Sequence, residues 1–141
     1  MTVYTLQNVI EAIQDEVSAI TSVRTLPDYA PENISAWPAI ITYAQSGRAV
    51  VQETVLDKYL HNILCEVHIP RKDLQRDLTT LMPFIEDVIE ELTIGDTTLG
   101  TKVEGFDGIT YQVVPSKYAD TDTLCIRFVI QNIVMFPYGK K

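Results

Sequence analysis

The sequence predicts an α+β fold, an antiparallel or mixed β-sheet with two helices packed on one face and an extended β-hairpin. Three observations predict it. Two stretches, 6–20 and 70–92, repeat apolar residues at the helical period. Several shorter stretches alternate or are rich in β-branched residues. The order is helix, strands, helix, strands, not the strict alternation of a parallel sheet. With 141 residues and no internal repeat, the chain reads as one domain, 1–141.

In the first helix Leu6, Val9, Ile10, Ile13, Val17 and Ile20 share a stripe opposite Gln7, Glu11, Gln14, Asp15 and Glu16. Residues 24–38 carry Pro27, Pro31 and Pro38 and read as an extended crossing. A strand over 39–45, a turn at Ser46-Gly47 and a second strand over 48–55 form the expected hairpin. The strand 59–69 alternates, with His61, Ile63, Cys65, Val67 and Ile69 on one face and Leu60, Asn62, Leu64, Glu66 and His68 on the other. Pro70 ends it and can open the second helix. That helix carries Leu74, Leu78, Leu81, Met82, Ile85, Val88, Ile89 and Leu92 on its stripe, and Pro83 should kink it. Asp107-Gly108 signals another hairpin before a strand over 109–115, and Asp120 and Asp122 suit a polar turn.

In the closing strand, 123–136, Leu124, Ile126, Phe128, Ile130, Val134 and Phe136 fall on one face, with Asn132 the break. Ile133 and Met135 then belong to the face of Cys125 and Arg127, which makes the end of the strand apolar on both sides. Such a strand needs two covers, and either another subunit or the proline-rich crossing supplies the second.

Composition narrows the function. A formal charge of −8 opposes binding to phosphate backbones, and no run reaches the roughly 18 apolar residues of a membrane span. Cys65 and Cys125 are expected as reduced structural thiols. His61 and His68 point to opposite faces and cannot share a metal; Glu66 and His68 share one, but sequence places no third ligand beside them. The segment 95–102 misses a phosphate-binding loop because it follows a helix and precedes strands. No catalytic residue, metal or cofactor is therefore expected. Glu86, Asp87, Glu90 and Glu91 read as a solvated helix face or as an acidic surface toward a polyanion or a basic partner.

Over nearly its whole length the element order resembles the tail terminator, or tail completion, proteins of long-tailed bacteriophages. The segments that carry the resemblance are LQNVIEAIQDEVSAI, WPAIITYA, the hairpin after it, CEVHIPRKDLQRDLTTLMPFIEDVIEEL and LCIRFVIQNIVMF. The resemblance implies a non-enzymatic virion protein, made in the host cytoplasm. It would form a homo-oligomeric ring, a hexamer in that family, that caps the tail tube protein and meets a head-tail connector protein. Double-stranded DNA would pass through without specific binding. On this view Glu53, Asp57, Glu86, Asp87, Glu90 and Glu91 face the lumen or tube, while Arg48, Val50, Val51, Val55, Ile133 and Met135 contact the next subunit. Rival expectations are another neck component (stopper or adaptor), a chaperone-like or antitoxin-like adaptor, and a small-ligand domain or enzyme. The last would have its pocket between sheet and helices, using Glu66 and His68.

Overall fold

The structure, a computed structural model, describes residues 4–27, 34, 36–94, 97–99 and 102–137. Its elements are α1 (Leu6–Val17), β1 (Ala39–Gln52), β2 (Val55–Pro70), α2 (Leu74–Leu81), α3 (Pro83–Thr93), β3 (Gly108–Tyr118) and β4 (Thr121–Met135). The strands form one antiparallel sheet in the order β1-β2-β4-β3. This is the expected α+β class. The middle of the proline-rich crossing, 28–33, and residues 95–96 and 100–101 lie outside the described residues.

Helix α1 starts where Thr5 and Asn8 close a reciprocal capping box, each side chain bonding the other's backbone amide. Val9, Ile10, Ile13 and Val17 turn toward the sheet, and Ile20, beyond the helix end, is buried with them. Gln14, expected on the solvent side, is buried instead. Its amide donates to the carbonyls of Pro27 (2.8 Å) and Ile40 (2.9 Å), and its oxygen accepts from the Thr42 hydroxyl, tying the helix to the crossing and to β1.

The second helical stretch bends as Pro83 requires. Met82 keeps helical dihedrals between α2 and α3, Pro83 sits at the first position of α3, and the Ile85 amide reaches the Met82 carbonyl at 3.1 Å. The helix opens at Leu74, not at Pro70, because Asp73 caps it while the buried Asp77 carboxylate accepts from the amides of Lys72 and Asp73. The bend also shifts the apolar stripe: Leu81, Ile85, Val88 and Leu92 are buried with Phe84, whereas Leu74 and Met82 are exposed.

The turn of the first hairpin differs in position from expectation. β1 runs straight through Ser46-Gly47, and the turn is Glu53-Thr54, both with positive φ (49° and 73°), a two-residue connection of the mirror-image type. Gly47 is required for a close approach instead, since a Cβ there would lie 2.8 Å from the Leu60 carbonyl oxygen and 2.9 Å from His61 Nδ1. Asp107-Gly108 leads into β3 and is not a hairpin turn, while the β3–β4 turn, Ala119-Asp120, falls where the sequence predicts a polar turn, with Asp122 already in β4.

The closing strand carries the main correction. Gln131 and Asn132 of β4 together oppose Asn62 of β2, a bulge in which Asn132 takes φ 55°. The Asn62 side chain accepts from the Asn132 amide (3.0 Å), and the Asn132 side chain donates to Asp107 (2.7 Å). One extra residue reverses the alternation, so Ile133 and Met135 join Leu124, Ile126, Phe128 and Ile130 in the core under the helices. They are 0% and 6% exposed within this single chain. The strand end is still apolar on both sides, but with its faces exchanged: Ile133 and Met135, expected at a subunit contact, are covered by the chain itself, and Val134 turns to the opposite face, where it is half-buried.

Candidate functional site

Away from the helices, the opposite sheet face holds a second buried set outside the main core. Its apolar members are Ala39, Ile41 and Leu64, and its polar members are Glu66, His68, Thr123 and Cys125. Strand alternation puts Glu66 and His68 on this face, as the sequence predicts, and His61 on the helix side. Register supplies what sequence could not: His68 stands opposite Cys125, and Glu66 opposite Arg127. The third potential ligand beside Glu66 and His68 is thus Cys125, 57 residues further along the chain.

The polar atoms form one connected network. Glu66 Oε1 lies 3.1 Å from His68 Nε2, and its Oε2 accepts from Arg127 Nε at 2.7 Å. The Tyr43 hydroxyl also bonds this carboxylate. His68 Nδ1 is 2.9 Å from the Thr123 hydroxyl, Cys125 Sγ is 3.8 Å from His68 Nε2, and the Tyr118 ring meets the imidazole edge-on at 5.5 Å. Among the described residues, no buried side-chain nitrogen or oxygen lacks a partner.

Electrostatics follow from this packing. Burial by itself would raise the Glu66 pKa, but hydrogen bonds from His68, Arg127 and Tyr43 outweigh it and hold the carboxyl at about 2. Burial, with the Glu66 charge adding to it, pushes the Cys125 thiol and the Tyr43 phenol well above their ordinary values. Cys65, on the helix side, is likewise raised by burial to about 12. Both cysteines are free. A ligand pocket between sheet and helices would not contain Glu66 or His68, which corrects that expectation.

The other sequence-derived residues lie elsewhere. Arg48, Val50, Val51 and Val55 belong to the far half of the β1–β2 hairpin. β4 reaches only as far as Tyr59, opposite Met135, so residues 50–58 project as a two-stranded arm. Val51 and Val55 are 61% and 65% exposed on it. Glu53 sits in its turn, and Asp57 is the extra residue of a bulge opposite Val50 and Val51. Glu86, Asp87, Glu90 and Glu91 are exposed on α3; Asp87, Glu90 and Glu91 border a shallow groove with residues 19–22. The acids thus occupy two separate elements, the arm and α3. No helix is long and apolar enough to cross a membrane among the described residues.

Comparison of the sequence with models of known protein families and with characterised proteins finds no match to either.

Proposed function

We propose that this protein is a structural subunit of a bacteriophage virion, a tail terminator that assembles into a ring on the end of the tail tube and offers the surface for joining the head. The projecting arm carries this reading. An isolated two-stranded hairpin is marginal in water, and this one exposes two valines and both its edges beyond the sheet. Packing against a neighbouring subunit would bury those valines and stabilise the arm. In a ring every subunit both gives an arm and receives one, a head-to-tail contact that closes by rotation. The acids of α3 and the arm turn would then be available to line a passage past which DNA slides without phosphate contacts.

The test is light scattering coupled to size exclusion over a range of concentrations, on the protein alone and with tubes assembled from the tail tube protein of the same virus. A ring-sized species, or end-capped tubes in negative-stain micrographs, is expected, and Val51→Asp with Val55→Asp should abolish it while the monomer stays folded. A strict monomer that leaves tube ends bare would sink the reading. End-capping without effect on tube length would favour a stopper or adaptor instead.

A further inference from the structure

Three electron-rich side-chain atoms converge on one point of the helix-free sheet face. We infer that Glu66, His68 and Cys125 form a binding site for a single zinc-class transition-metal ion. This goes beyond the proposed assembly role and does not depend on it.

The ligand atoms all lie within 4.8 Å of one another, with separations of 3.1 Å between Glu66 Oε1 and His68 Nε2 and 3.8 Å between His68 Nε2 and Cys125 Sγ. With metal bonds of about 2.0–2.3 Å, tetrahedral ligands stand roughly 3.4–3.6 Å apart, so closure needs no pair of ligand atoms to approach by more than about 1.4 Å. The backbone already fixes the set. Glu66 and His68 are two apart on β2, and Cys125 is the direct partner of His68 on β4, in the middle of the sheet. All three residues are at least nine-tenths buried.

The surroundings suit a metal as well as a proton. With the ring proton on Nε2 it bonds Glu66, and Nδ1 accepts from the Thr123 hydroxyl. When Nε2 ligates a metal, the ring proton moves to Nδ1 and donates to the same hydroxyl, which serves either tautomer because it both donates and accepts. Thr123 is then the outer partner that orients a ligating histidine. Arg127 holds the other carboxylate oxygen of Glu66 and so orients the first. Binding forms bonds from the metal to oxygen, nitrogen and sulfur and releases the thiol proton to solvent. The two anionic ligands, thiolate and carboxylate, balance the dication. A thiolate with an imidazole selects zinc over magnesium or calcium, which prefer oxygen. Three protein ligands leave a fourth tetrahedral position to water or another donor.

The experiment uses untagged, chelator-stripped protein titrated with Co2+ as a visible probe and then with Zn2+. One equivalent of Co2+ per chain should bind, with tetrahedral ligand-field bands and a sulfur-to-cobalt charge-transfer band, and one equivalent of Zn2+ should bleach both. Cys125→Ser should remove the charge-transfer band and weaken zinc binding at least tenfold. Thr123→Val should weaken it by roughly ten- to a hundredfold. Cys65→Ser, on the other sheet face, should change neither. Should Cys125→Ser fail to fold, X-ray absorption on the wild-type zinc complex reads the ligands directly, and a sulfur shell near 2.3 Å is expected. A purely nitrogen and oxygen shell, an unchanged Cys125→Ser titration, or zinc binding no tighter than millimolar would overturn the site.

Discussion

A carboxylate only 4% exposed, as Glu66 is, survives burial because three donors hold its charge, and this makes it sensitive to acid. Its folded pKa of about 2 lies below the ordinary 4.5, so below pH 4.5 the unfolded chain binds the proton first. The stabilisation is therefore complete above pH 4.5 and disappears as pH falls to about 2. Denaturant unfolding of wild type and Glu66→Gln across that window should show the wild type losing stability more steeply; parallel curves would mean the carboxylate is not held as described. Ile133 gives a test of burial. Ile133→Ala should cost the monomer about 2–5 kcal/mol through lost contacts and a cavity. A variant with unchanged monomer stability and only impaired assembly would return Ile133 to an interface. At Gly47, a methyl group would meet the Leu60 carbonyl at 2.8 Å, backbone that cannot swing aside. Gly47→Ala should therefore destabilise by about 1–3 kcal/mol in urea titration.

The elements themselves were legible wherever a period ran unbroken, and were misplaced wherever a single residue changed the count. The helices and the alternation of β2 followed from spacing, and with them the shared face of Glu66 and His68. An extended hairpin was legible but its bounds were not: the residues read as two strands, 39–45 and 48–55, are almost wholly the single strand β1, because Ser46-Gly47 has the chemistry of a turn and Glu53-Thr54 does not. Gly47 had a steric reason that depends on His61, a residue brought near only by pairing. Asn132 was visible as a break in pattern, yet its effect on Ile133 and Met135 depended on whether the strand skipped a residue there. Cys125 could not be joined to Glu66 and His68 because strand register across 57 residues is a tertiary fact. The turn leads to a prediction. Thr54 is β-branched and holds φ 73°, a conformation that costs a branched residue about 1–2 kcal/mol. Thr54→Gly should raise monomer stability by about 0.5–1 kcal/mol, the gain being reduced by the greater chain entropy of glycine. A loss instead would show that the Thr54 side chain makes a stabilising contact at the tip.

At the scale of the whole molecule, charge and apolar surface oppose each other. Each chain carries −8, so identical subunits repel when they approach, while the arm exposes Val51 and Val55 to whatever will cover them. Repulsion between exposed charges fades within about 10 Å at 0.1 M salt, whereas burial of apolar side chains is not screened. If arms bind neighbours, association should therefore strengthen with salt. Sedimentation velocity from about 50 to 500 mM sodium chloride should show the assembly midpoint moving to lower protein concentration. Replacing Glu86, Asp87, Glu90 and Glu91 by glutamine should produce much of that shift at low salt, because it lowers the charge without touching the arm. Weakening by salt would mean that opposite charges, such as Arg48 against an acidic patch, hold the subunits together. In that event Arg48→Glu, and not the valine variants, should be the substitution that dissolves the assembly.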